Sequence, residues 1–130
     1  MIILTIRTDK PEAELGLFDE QIKLAYEEWH AHRELSNTLL QKLTDILASQ
    51  GKTLADVQGI VCFQGPGSFT GLRIGLTVAN TLAYSLSVPI VATMDEQWIQ
   101  KGIERLHAGE DDHITLPHYG ADAHITLPRK

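Results

Sequence analysis

Short apolar runs fill the first thirty residues and give way to a helical period further on. Met1 to Thr8 reads as a buried strand, and Arg7 through Pro11 supplies turn signals. A second apolar stretch, Ala13-Glu14-Leu15-Gly16-Leu17-Phe18, and a third, Ile22 to Trp29, complete an antiparallel meander. From Glu34 the period changes. Leu35, Leu39, Leu40, Leu43, Ile46 and Leu47 recur at helical spacing, and Gly51 stands where a C-terminal cap is expected, so the pattern predicts an amphipathic helix over Glu34 to Ala48. Val57 to Phe63 then reads as a buried strand, Gly65 to Phe69 as a loop, Thr70 to Ser87 as a second helix and Pro89 to Thr93 as another strand. A short helix, Glu96 to Leu106, and a turn at Gly109-Glu110-Asp111-Asp112 follow.

The predicted order, β-β-β-α-β-α-β with a short C-terminal helix and a tail, joins a meander to strand-helix-strand crossovers. The fold class is therefore α/β with a mixed sheet, the pattern of one ribonuclease-H-like or actin-like half. The 130 residues suit one domain, divided here into a lobe over 1–108 and a tail over 109–130. Within the tail, His113-Ile114-Thr115-Leu116-Pro117 recurs as His124-Ile125-Thr126-Leu127-Pro128. Two copies are too few for a solenoid, and the reading is a pair of extended segments whose prolines stop further pairing, ahead of a metal-binding histidine pair.

Hydrophobic residues make up 43% and charged residues 22%, the balance of a folded globular chain. The opening apolar run is too short to span a bilayer and no basic region precedes it, so a cytoplasmic protein with no membrane partner is expected. The lone cysteine, Cys62, sits in an apolar run and reads as core packing in a reducing compartment. A net charge of −6 argues against this chain gripping nucleic acid by itself, because Lys and Arg supply most non-specific phosphate affinity. Any link to RNA is expected to run through a partner.

Chemistry concentrates in Gln64-Gly65-Pro66-Gly67-Ser68-Phe69-Thr70-Gly71-Leu72-Arg73-Ile74-Gly75. A strand ends just before it, its glycines allow unusual backbone angles, and Ser68 or Thr70 can cap a helix whose free amides attract an anion. Gly65, Gly67, Ser68 and Thr70 are therefore candidate phosphate contacts. No Lys-Ser or Lys-Thr pair follows as in a P-loop, and Gly65, Gly67 and Gly71 are spaced too widely for a dinucleotide fingerprint, so a tight strand-to-helix turn competes with that reading.

Within the following helix, Gly71, Gly75, Ala79 and Ala83 fall four residues apart as a seam of small side chains, beside Leu72, Leu76, Leu82 and Leu86. With Ile74 and Val78 the apolar arc spans about 200°, more than one sheet covers. Either the first helix fills this seam or a partner's helix does. Leu35, Leu39, Gly71, Leu72, Gly75, Leu76, Ala79 and Ala83 form the candidate partner interface. No catalytic and no metal-ligating residue is assigned.

Gly65 through Gly75 resembles, throughout its length, the signature of the TsaB (YeaZ) family, and the order of elements from Met1 to about Met94 is similar to that family's N-terminal lobe. The resemblance implies a non-catalytic subunit that pairs through helices of this lobe with the catalytic TsaD, whose fold it shares without its metal-binding histidines. Together with the ATPase TsaE, it would support transfer of threonylcarbamoyl to adenosine 37 of tRNAs reading codons that begin with A. It also implies no cofactor in this chain, ATP or ADP and metal on the partner subunits, and contact with tRNA only through the complex. The same apolar helix face can pair with itself about a two-fold axis, so a homodimer is expected when the chain is alone, and a homodimeric scaffold with no enzyme partner is a further reading.

Two departures bear on this. Ile6-Arg7-Thr8-Asp9 stands where the family has Ile-Asp-Thr, which puts Arg7 at the acidic position and weakens a Mg-nucleotide role. The family's C-terminal lobe has no counterpart in these 130 residues, and the ending Ile125-Thr126-Leu127-Pro128-Arg129-Lys130 is similar to the tails of some members, so a short form is expected. Other readings are a free-standing nucleotide-binding module or weak ATPase, and a metallopeptidase homologue suggested by the wider family's historical name and by His30-Ala31-His32.

Overall fold

A computed structural model describes residues 1–31, 35–67 and 69–118, Phe69 by its backbone alone. Its elements are β1 (Ile2–Arg7), β2 (Glu12–Asp19), β3 (Ile22–His30), α1 (Leu35–Ala48), β4 (Gly59–Phe63), α2 (Phe69–Leu86), β5 (Ile90–Thr93) and α3 (Trp98–His107), with a 3-10 turn at Leu54–Asp56. The five strands form one sheet in the order β3-β2-β1-β4-β5. β2 lies antiparallel to β1 and β3, whereas β1, β4 and β5 run parallel. This is the mixed sheet that a meander followed by two helical crossovers requires.

Period-two alternation divides the strands between two cores. Leu4 and Ile6 of β1, Leu15 and Leu17 of β2, Ile60 and Cys62 of β4 and Ile90 of β5 face α1 and α2, where they meet Leu39, Leu43, Leu47, Leu76 and Ala79. Ile3, Phe18, Val61, Phe63 and Val91 pack on the other face against Trp98, Ile103 and Leu106 of α3. Gly102 lets α3 sit close to the sheet, since a Cβ there would run into the branched side chain of Val61. β4 begins at Gly59, two residues later than the apolar run predicts. Val57 is buried, but its N–H closes the 3-10 turn onto the carbonyl of Leu54 and is withheld from a strand ladder.

Beyond α3, Asp111 and Asp112 lie along the open side of β5, beside Arg105 of α3. Every outward-facing polar backbone group of Ile90 and Ala92 finds a partner there. Ile90 N–H donates to Asp111 Oδ1 (3.1 Å) and Ala92 N–H to Asp112 Oδ2 (2.9 Å). The Ile90 carbonyl accepts from Asp112 N–H at 2.8 Å, and that of Ala92 from Arg105 Nη1 at 3.0 Å. Arg105 also forks onto the Asp112 carboxylate, and this hydrogen bonding outweighs desolvation to hold the guanidinium pKa above its ordinary value. Replacing Asp112 with Ala is expected to lower stability by about 1–3 kcal/mol, measured by urea unfolding, because a strand N–H and a guanidinium lose their acceptor together. An unchanged midpoint would mean that water satisfies both groups.

The described first copy of the repeat forms no strand, and the second copy, at 124–128, lies outside the described residues.

Candidate functional site

The glycine-rich loop leaves β4 at Phe63 and enters α2 at Phe69. Gln64 anchors its base: its N–H donates to the Thr93 carbonyl (2.8 Å), its carbonyl accepts from His118 N–H (2.9 Å), and its Nε2 donates to the Leu116 carbonyl (2.9 Å). The Gly65-Pro66 peptide is cis, and Gly65 has φ 121°, a region that side chains avoid. A Cβ at Gly65 would collide with the His118 carbonyl oxygen, and one at Gly67 with Asp9. Both glycines thus permit close backbone approach between distant segments. Thr70 lies exposed in the first turn of α2, and Ser68 lies outside the described residues.

Next to this loop, at the end of β1, Arg7 and Asp9 occupy the place where a carboxylate and a divalent ion would be sought. Arg7 Nε donates to Asp9 Oδ1 at 2.7 Å and its Nη2 to Oδ2 at 3.2 Å, so both carboxylate oxygens face one guanidinium. The guanidinium carbon stands 3.9 Å from the centre of the Phe63 ring. Burial opposes the charge on Arg7, but hydrogen bonding and attraction from Asp9 outweigh it and raise its pKa. The donor set does not fit a magnesium-bound nucleotide: the nearest carboxylate is neutralised, and the cation beside it repels a second one.

Helix α2 is held against β1 by Gly75 and Thr8. The Thr8 hydroxyl donates to the Gly71 carbonyl at 2.7 Å and sits where a Gly75 Cβ would be. Leu39, Leu72 and Ala79 are fully buried, Leu35, Leu76 and Ala83 are at most 5% exposed, Gly75 is buried and Gly71 half-buried. This corrects the interface expected from the seam. Its small residues let α2 approach this chain's own sheet and α1, which fill the space, and their side chains offer no surface to a partner. Leu72 belongs to the other core, with Phe63 and Trp98, which widens the apolar arc of α2 on that side.

What remains open on this layer lies one step around the helix. Arg73, Thr77, Thr81 and Tyr84 of α2 are exposed, Ile74 and Val78 are half-buried, and Leu40 of α1 is 50% exposed. A groove of 430 Å³ between the helices is lined by Ser36, Thr70, Arg73, Ile74, Thr77 and Val78. The apolar arc included Ile74 and Val78, but periodicity alone does not say which flank of an arc is left uncovered.

His30 is half-exposed on β3, with Nδ1 3.3 Å from Glu12 Oε2, and His32 lies outside the described residues. Among the described residues, no three His, Cys, Asp or Glu side chains come together as metal ligands. Cys62 is fully buried, and burial pushes its thiol up to about 12.

Residues 29–99 match the family described as "TsaD: tRNA N6-adenosine threonylcarbamoyltransferase". The tRNA threonylcarbamoyladenosine biosynthesis protein TsaB of Escherichia coli (strain K12) is 32% identical over 117 residues, covering 85% of this chain and 50% of that protein. TsaB of Bacillus subtilis (strain 168) is 35% identical over 92 residues, covering 71% and 40%. Among solved structures, YeaZ from Pseudomonas aeruginosa superposes with a TM-score of 0.67 at 31% identity, over 72% of this chain and 44% of that one. RuvC of T. thermophilus, at 15% identity and a TM-score of 0.54 over 95% of this chain, shares the fold alone, which is ribonuclease-H-like. The chain spans half or less of the length of these TsaB relatives. Identity to TsaB proteins along 85% and 71% of the chain, together with the superposition on YeaZ, establishes that the chain belongs to the TsaB (YeaZ) family.

Proposed function

We propose that this chain takes part in making threonylcarbamoyladenosine in tRNA, as a non-catalytic subunit that pairs with and activates TsaD and works alongside TsaE. The observation that carries the reading is the match to TsaB along 85% of the chain. The Arg7–Asp9 pair supports leaving ATP or ADP and metal to the partner subunits, since its carboxylate is already neutralised. The net charge of −6 supports contact with tRNA only through the complex. No helix among the described residues is long and apolar enough to cross a membrane, consistent with work in the cytoplasm.

In this reading the face that meets TsaD, or a second copy when the chain is alone, is the outer flank of α1 and α2 around Leu40, Ile74, Thr77 and Val78. Reconstitution with purified TsaD, TsaE and the enzyme that makes threonylcarbamoyl-adenylate, with and without this chain, tests the function. More modified adenosine with the chain is expected, and equal amounts would remove the role. For the surface, Thr77→Arg is expected to weaken association with TsaD about tenfold or more while leaving the thermal midpoint unchanged, because a second cation in the groove beside Arg73 brings bulk and an unpaired charge into a covered surface. Unchanged affinity in calorimetry would move the interface elsewhere.

A further inference from the structure

Helix α2 has neighbours on two sides. On one side stands α1, which packs on β2 and β3. On the other stand residues 113–118, which follow the Asp111 and Asp112 anchors on the edge strand β5. Asn80, midway along α2, ties this second neighbour through one residue. The Thr115 N–H and hydroxyl donate to Asn80 Oδ1 at 2.8 and 3.0 Å, and the Thr115 carbonyl accepts from Asn80 Nδ2 at 3.0 Å. The amide thus pairs with a backbone unit much as a neighbouring strand would. Thr115 is 3% exposed, and Cys62 Sγ of β4 lies 3.6 Å from its hydroxyl. Further along, the same segment reaches the base of the glycine loop, where Gln64 binds the Leu116 carbonyl and the His118 N–H. Beside these ties, an open cleft of 730 Å³ lined by Thr81, Tyr84, Val88, Pro89, His113 and Ile114 parts the segment from the helix. Packing therefore adds little there, and Asn80 and Gln64 carry the hold.

We propose that residues 113–118 brace α2, and that Asn80 and Gln64 are positioning residues for the partner face of the helical layer. The inference rests on the reading of that face as the place where TsaD meets this chain. A helix joined to its strand by a glycine-rich loop can swing about that loop, because glycine sets few limits on backbone angles. Thr8 fixes the near end of α2 through the Gly71 carbonyl, and a second fixed point at Asn80 sets the direction of the axis. Arg73, Ile74, Thr77 and Val78, which line the groove beside α1, all lie between those two points. A tie on the far side of α2 thus sets how wide the groove stands, although no residue of the brace lines it. Hydrogen bonds suit this task, since they hold only over a narrow range of distance and angle, whereas apolar contact tolerates sliding.

The test uses the full chain with Asn80→Ala, Thr115→Val and Thr115→Ser. In Asn80→Ala, amide exchange over residues 70–78, followed by mass spectrometry, is expected to quicken about fivefold or more, with residues 2–19 and 35–48 unchanged. Affinity for TsaD in calorimetry is expected to fall about tenfold. Thr115→Val, which gives up the hydroxyl alone, is expected to lie between Asn80→Ala and the original, and Thr115→Ser, which keeps every bond to Asn80, within about twofold of the original. Faster exchange in all three regions would mean general loosening and would overturn the proposal. So would unchanged exchange over 70–78, or local loosening with TsaD affinity unaltered. If circular dichroism shows Asn80→Ala unfolded, Thr115→Val is judged against Thr115→Ser by the same criteria. Absence of TsaD binding by the unsubstituted chain would remove the reading of the face and the proposal with it, and that failure is told apart because the exchange pattern is measured without TsaD.

Discussion

Replacing Ala79 with leucine is expected to lower the unfolding free energy by about 2–3 kcal/mol, seen as a lower urea midpoint. Ala79 is fully buried, and it belongs to the same core as Leu39, Leu43, Leu76 and Leu82. A close-packed interior has no room for the added carbons unless α2 lifts from the sheet or a neighbour leaves its rotamer. For a chain of this size such a loss is a large part of total stability. Under the proposed pairing with TsaD, any weaker association would follow from unfolding, not from a blocked surface. An unchanged midpoint together with lost association would sink this account and return Ala79 to an interface.

Gly75→Ala has a comparable expected effect with the opposite sign to its intrinsic one. In an exposed helix, alanine for glycine stabilises by about 1 kcal/mol. Here the new Cβ would overlap the Thr8 hydroxyl and lie 2.9 Å from its Cγ2 and 3.0 Å from its Cβ. Thr8 cannot turn aside without giving up its bond to the Gly71 carbonyl. A net loss of about 2–3 kcal/mol is expected. Combining it with Thr8→Ala should recover part of that loss, so a double-mutant cycle by thermal unfolding reads the coupling. Strict additivity of the two substitutions would show that the crowding is relieved elsewhere.

Order and type of the elements were legible because both periods are strong. Leu35, Leu39, Leu43 and Leu47 mark one helix face, and alternate residues of β1 divide cleanly between the two cores. The seam was legible as a close approach but not as to its neighbour. Gly71, Gly75, Ala79 and Ala83 look alike in sequence whether a helix faces its own sheet or another protein. The loop glycines left two readings open for a related reason. Glycine permits an anion to come close and equally permits a backbone to do so, and the backbone contacts it permits here, His118 at Gly65 and Asp9 at Gly67, are remote in the chain. The repeat was visible, but not the hold of Asn80 on Thr115 in its first copy, since Asn80 lies in the middle of a helix with no local sign of what it binds.

The carboxylates along β5 bear on how this protein meets others. An unpaired strand border is a template on which further chains add, and small sheets with two such borders tend to grow into aggregates. One border here is already saturated by Asp111, Asp112 and Arg105, while β3 at the opposite border carries Lys23, Glu27 and Glu28. Growth of the sheet by addition of a further strand is thus discouraged at both ends.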